Sequence, residues 1–207
     1  MEKRNLGNTG TKVGALGIGA MSFSDFYGPT NTQESHAILK MALDNGINHI
    51  DTAKVYGMGL SEERIGQFLN TLNPKDRQFF KIATKGGIDR KNFDDKGTVV
   101  FDNSKEFLTE ELNNSLRRLG VDCVELYYVH RREADRPIEE VTETLVEFIK
   151  IGKIKQFGFS EIAPTSLEKA ASIHPVGAVQ SEYSLSTRYP ELGLSLIHIS
   201  EPTRQHW

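Results

Sequence analysis

A single cysteine, Cys123, stands among 207 residues. No disulfide can form within the chain, which excludes the small stapled folds. No apolar run approaches the roughly 20 residues needed to cross a bilayer. The opening MEKRNLGNTG lacks the apolar stretch of a secretory signal. These absences favour an intracellular, reducing compartment, the cytoplasm. An excess of one charge is also missing: 25 Lys and Arg face 28 Asp and Glu, for a net charge of −3. Nothing there draws the chain to a phosphate backbone or an anionic membrane, so neither nucleic acid nor membrane is an expected partner. No metal is expected either, since His36, His49, His130 and His174 share no ligand spacing.

What is present is an alternation of amphipathic stretches with short β-rich runs, the pattern of a parallel α/β sheet. The clearest helix is Glu106–Leu119, with Leu108, Leu112, Leu116 and Leu119 on one stripe and Gly120 as its stop. The strand Val124–Val129 follows at once. Pro137 opens a second helix whose face is Ile138, Val141, Leu145, Phe148 and Ile149; it ends at Gly152 before the strand Ile154–Phe159. Upstream, residues 33–45 open with a Thr30/Gln33 capping box and close at Gly46, leading into Ile47–Ile50. Residues 61–71 lead through Pro74 to Phe80–Thr84, and Pro164–Ile173 leads to Val176–Gln180. With Val13–Ile18 the strands number six. Periodicity alone does not separate a doubly wound sheet from an incomplete (β/α)8 barrel.

The polar residues do separate them. Asp51 follows INHI, Lys85 follows FKIAT and His130 follows ELYYV, each at the C-terminal end of a different strand. In a barrel those ends share one face. Tyr56 lies in the loop AKVYGMG on that same face. Taken singly, each of the four has an ordinary structural explanation; together they suit proton transfer. A buried ammonium beside a phenol is expected to lower the tyrosine pKa, and a carboxylate keeps the lysine charged. GALGIGAM is not a dinucleotide fingerprint: Gly14, Gly17 and Gly19 are spaced G-x-x-G-x-G and do not open onto a helix. Arg131 and Arg132 read as a solvated surface pair, with attraction of a phosphate or carboxylate as the alternative.

The segments INHIDTAKVYG, FFKIATKGG, ELYYVHRRE, GKIKQFGFSE and VQSEYSL resemble aldo-keto reductases of the pyridoxal-reductase-like and aryl-alcohol-dehydrogenase-like branch, over residues 4–193. The resemblance implies an NADP(H)-dependent (β/α)8-barrel enzyme acting on a small-molecule carbonyl. It makes Asp51, Tyr56, Lys85 and His130 the catalytic tetrad, with Tyr56 as general acid and His130 orienting the carbonyl. Asp51, Ser160, Gln180 and Met21 fall on its cofactor side, and Met21 and Phe23 are candidates to line the pocket. Glu161 stands where many members carry Asn, which puts that position's amide contact in doubt. The family also holds potassium-channel β subunits, which act chiefly by binding, so an interaction protein is the second reading and an inactive fragment the third.

A closed barrel takes eight strands and roughly 250 residues. From Gln180 to Leu194 the chain includes Pro190 and Gly193 and shows no helical stripe, so LSLIHI does not fit as a seventh strand. Leu194–Arg204 resembles a translated sequencing-library adapter. The barrel portion is therefore expected to be residues 1–193, with 194–207, including the only tryptophan, Trp207, as an unrelated tail. Such a chain is expected to hold NADPH weakly.

Overall fold

The computed structural model describes residues 1–7, 10–93 and 98–194. Its elements, in chain order, begin with strands β1 (Lys3–Asn5), β2 (Lys12–Gly14) and β3 (Gly17–Gly19), helix α1 (Thr32–Asp44) and strand β4 (His49–Asp51). Helices α2 (Leu60–Thr71) and α3 (Pro74–Phe79) precede strands β5 (Lys81–Gly86), β6 (Ile88–Phe93) and β7 (Val99–Phe101). Then come α4 (Lys105–Leu119), β8 (Val124–Val129), α5 (Ile138–Lys150), β9 (Ile154–Ser160), α6 (Pro164–Ile173), β10 (Ala178–Gln180) and α7 (Pro190–Gly193).

Six strands form one parallel sheet in the order β3, β4, β5, β8, β9, β10. That order never reverses, whereas a doubly wound sheet turns back at a switch point. The fold is an incomplete (β/α)8 barrel.

Strand alternation sorts the side chains into two faces. Ile50 and Ile82, Thr84 and Tyr127, Tyr127 and Phe157, and Val129 and Phe159 are register partners on the outer face. Most of these pack with Leu39, Leu69, Leu108, Leu112, Leu145 and Leu167 of the helices, forming the main core. Each such leucine, fully removed from water, contributes about 1.5–3 kcal/mol. On the inner face one register row runs Gly19, Asp51, Ala83, Leu126, Gln156, and the next runs Lys85, Tyr128, Gly158, Ala178. Such layers fill a barrel interior. Leu6 packs on Ala83, Leu126 and Tyr128 from below, and Asn48 ties β2 to the sheet by accepting from Gly14 N at 2.7 Å.

The expected elements are present, with some changes. Val13–Ile18 is not one strand. Lys12–Gly14 pairs antiparallel with β1, and Gly17–Gly19 joins the parallel sheet. The chain folds so sharply between them that a Cβ on Gly14 would meet the Leu16 carbonyl at 2.9 Å. The capping box of α1 sits one residue later than Thr30/Gln33. Asn31 Oδ1 accepts from Glu34 N at 2.9 Å, and Glu34 answers by accepting from Asn31 N at 3.0 Å. A charged acceptor at that position also favours the helix dipole. Also additional are β1, α3, capped by Asn73 with Pro74 at its first turn, and the β6–β7 hairpin. Within the linker read as lacking a helix, Pro190–Gly193 makes a single short turn. Leu194 is buried against the core; residues 195–207 of the proposed tail lie outside the described residues.

A buried polar layer joins sheet to helices behind the site. Glu62 on α2 is fully buried, accepting from Thr84 Oγ1 at 2.5 Å and from Arg118 Nε at 2.7 Å. This pairing needs α2 and α4 in close contact, and Gly66 permits it: a Cβ there would stand 2.1 Å from the Arg118 carbonyl.

Candidate functional site

The inner rows deliver the four expected residues to one end of the sheet. Asp51 closes β4, Lys85 is the penultimate residue of β5, and His130 directly follows β8. Tyr56 arrives by a short loop held to the neighbouring strand: Thr52 N donates to Ala83 O at 2.9 Å and Lys54 N to Lys85 O at 3.3 Å. The loop then turns through three left-handed residues, Gly57, Met58 and Gly59. Gly57 is required there, since a Cβ would strike Ser24 Cβ at 2.7 Å. A second tether runs from Lys54 Nζ to Glu111 Oε1 on α4, at 2.8 Å.

Lys85 is the hub. Its side chain is fully buried, and its ammonium donates to Asp51 Oδ2 (2.7 Å), Thr52 O (3.0 Å) and Tyr56 Oη (3.3 Å). An ammonium has three N–H bonds, and all three are used. The other carboxylate oxygen, Asp51 Oδ1, is buried with no partner among the described residues. The His130 ring meets the Tyr56 ring edge-on, with centroids 5.9 Å apart.

The electrostatics correct one expectation. Burial pushes the Tyr56 phenol above its ordinary value and outweighs Lys85, which pulls the other way. Tyr56 therefore stays protonated through neutral pH. Burial, then the nearby Lys85, Arg131 and Arg90 charges, hold His130 well below the ordinary histidine value. His130 is neutral, with one ring N–H to offer.

Ser160 and Gln180, side by side in register at the ends of β9 and β10, are both buried. Met21 is half-buried in the helical turn Ala20–Ser24. Phe23 does not line a pocket: it is 1% exposed and belongs to the main core, because the turn points its ring beneath the helices. Glu161 adopts the left-handed conformation (φ 52°), which asparagine tolerates better than glutamate, and its carboxylate accepts from Glu182 N at 2.7 Å. Arg131 and Arg132 are not a solvated pair. Arg131 Nη1 donates to Ser160 Oγ at 3.0 Å and Arg132 Nη2 to the Arg136 carbonyl at 3.0 Å, both from half-buried positions. The Lys54–Glu111 tether was not anticipated, since only the site geometry joins a loop lysine to a helix 57 residues on. Among the described residues no cluster of His, Cys, Asp and Glu is placed to hold a metal, and no helix is long and apolar enough to cross a membrane.

Comparison with known proteins places the fold in a family. The aldo/keto reductase yakc [NADP(+)] of Schizosaccharomyces pombe is 36% identical over 194 residues, which is 92% of this chain and 55% of that protein. The probable aldo-keto reductase 1 of Glycine max is 38% identical over 88% of this chain and 51% of its own length. The chain thus spans about half the length of the curated relatives it matches. Among solved structures, the holo form of aldo-keto reductase AKR11C1 from Bacillus halodurans superposes with a TM-score of 0.81 at 33% identity, covering 95% of this chain and 62% of that one. The glycerol dehydrogenase AKR11B4 from Gluconobacter oxydans gives 0.80 at 28% identity, over 92% and 57%. The profile of the aldo/keto reductase family matches residues 15–196, a span that contains every strand of the parallel sheet and Asp51, Tyr56, Lys85 and His130. The chain belongs to the aldo/keto reductase family.

Proposed function

We propose that residues 1–193 are the site-bearing part of an NADP(H)-dependent oxidoreductase that reduces an aldehyde or ketone to an alcohol, with Tyr56 as general acid. One observation carries the reading: the Lys85 ammonium donates to Tyr56 Oη. Lysine can only donate, so the phenol oxygen accepts and its own hydrogen points to another acceptor. Neutral His130 stands edge-on beside it. A carbonyl oxygen set between the two receives a hydrogen bond from each, and takes the proton from Tyr56 as negative charge builds on it. Lys85 then stabilises the tyrosinate that remains, and Asp51 at 2.7 Å keeps Lys85 charged. In the reverse direction Tyr56 is the base.

A reduced nicotinamide, when bound, supplies the hydride. The residues fit such a group. Asp51 Oδ1 is a buried acceptor without a partner, and Gln180 places a buried amide at the same end of the sheet. Ser160 Oγ accepts from Arg131 yet keeps its own hydrogen to donate. Met21 is the remaining residue on the cofactor side. NADP(H) rather than NAD(H) rests on the name of the yakc relative and on the resemblance of the motifs.

The test is Tyr56→Phe in the full chain, with NADPH consumption followed in the presence of an aromatic aldehyde and cofactor binding followed by fluorescence. Loss of turnover with cofactor binding kept supports the reading. Equal turnover in both proteins removes Tyr56 from its role.

A further inference from the structure

Buried Arg64 and half-buried Arg118 and Arg136 each face a carboxylate, whereas half-buried Arg77 donates to the Gly120 carbonyl. Arg118 meets Glu62 at 2.6 Å, Arg136 meets Glu133 at 2.8 Å, and Arg64 lies 3.8 Å from Asp25. Arg131, like Arg77, faces no carboxylate among the described residues. It follows His130 where the chain leaves β8, and its Nη1 donates to two neutral acceptors, the His130 carbonyl (2.7 Å) and Ser160 Oγ (3.0 Å). No carboxylate among the described residues pairs with it; the nearest in sequence, Glu133, is engaged by Arg136 and by Asn103 N. Among the described residues Arg132 also lacks a carboxylate, and its buried Nε has no partner there. Arg90, on β6 just beyond Lys85, is exposed, and its charge joins that of Arg131 in opposing protonation of His130.

A partly desolvated guanidinium without a counter-ion is costly unless an anion arrives to meet it. The two bonds from Nη1 fix the plane of Arg131 and leave its Nε and Nη2 hydrogens as a parallel pair, the geometry that suits two carboxylate oxygens. That pair lies beside His130 and Ser160, at the end of the sheet where the carbonyl is reduced on the reading above. We propose that Arg131, with Arg90 at the rim, selects carbonyl substrates that carry a carboxylate.

This rests on the reductase reading, and one experiment separates the two. The full chain is assayed with 4-carboxybenzaldehyde and with its methyl ester, which differ in charge; the ester is the intrinsically more electrophilic aldehyde, so that bias runs against the proposal. The expected result is a higher kcat/KM for the carboxylate, with the advantage shrinking as salt rises. Arg131→Met should cost the carboxylate about tenfold to a hundredfold more than the ester, the range for a charged hydrogen-bonded contact, with Arg131→Lys recovering part of it. The wild-type comparison needs no variant to fold. Preference for the ester overturns the proposal and leaves the reductase reading standing. An Arg131→Met variant that slows both aldehydes equally while raising KM for NADPH also overturns it, and assigns the guanidinium to a cofactor phosphate. Absence of turnover with either aldehyde overturns both.

Discussion

Lys54 Nζ and Glu111 Oε1 lie 2.8 Å apart beneath the loop that carries Tyr56, with side chains only 10% and 7% exposed. The pair fastens the Tyr56 loop to helix α4. Removing one member leaves the other charge buried and alone, at a cost of about 3–5 kcal/mol. Glu111→Ala should therefore destabilise the chain by about that amount in urea unfolding. A change below about 1 kcal/mol, the scale of an exposed pair, would show that the contact holds nothing in place.

The same carboxylate sets a pH dependence. Burial raises the Glu111 pKa despite Lys54, so the folded chain binds this proton more tightly than the unfolded chain. Stability from this group falls as pH rises from the ordinary glutamate value through the raised one, and levels off above it. Glu111→Gln should remove that slope. Melting temperatures across mildly acidic pH give the answer, and an identical slope in the variant would assign it elsewhere.

Tyr56→Phe should lower kcat for aldehyde reduction by about a hundredfold to ten-thousandfold, the usual worth of a positioned proton donor. Affinity for NADPH should change little, because the phenol touches Lys85 and His130 rather than Ser160 or Gln180. A loss confined to KM would point to substrate placement instead of proton transfer.

The pH–rate profile follows from two opposite shifts. Tyr56, raised by burial, remains an acid well into alkaline pH, so reduction should decline only there. His130, lowered by burial and by Lys85, stays neutral down into acid pH, so an acid limb should lie below the ordinary histidine range. A limb at the ordinary histidine value in kcat/KM would contradict the enclosed setting of His130.

Gly66→Ala tests the helix contact behind the site. The added methyl would meet the Arg118 carbonyl at 2.1 Å, a distance no side-chain rotation relieves. Overpacking of this kind costs about 1–3 kcal/mol, and it should also loosen the Glu62–Arg118 pair that supports Thr84. A fully stable variant would mean that α2 and α4 slide apart freely.

Much of the arrangement was legible beforehand because strands of a barrel bring their C-terminal ends to one face. Asp51, Lys85 and His130 each follow a short apolar run, and period-two alternation sends them to one face. The helices were equally plain where stripe and stop coincide, as at Leu108–Gly120. What escaped depends on distance in the chain. The break at Gly14 comes from a hairpin with residues 3–5, and among the described residues the β6–β7 strands pair only with each other, so neither leaves an apolar stripe. The direction of the Tyr56 shift was misjudged for a related reason: the sequence shows that a lysine is near but not how much water is excluded. Arg131 looked like a surface residue because its partner, Ser160, lies 29 positions away.

The position of each site residue across the sheet has a consequence for how the site would come apart. Asp51, Lys85 and His130 hang from β4, β5 and β8, each bonded on both sides, whereas Gln180 ends β10, which among the described residues has β9 as its sole neighbour. An outermost strand opens by small excursions that leave interior strands intact. Amide exchange should then be fast at Ala178–Gln180 and slow at Lys81–Gly86. Warming would free Gln180 first, so the cluster of Asp51, Lys85 and His130 would outlast the edge beside it.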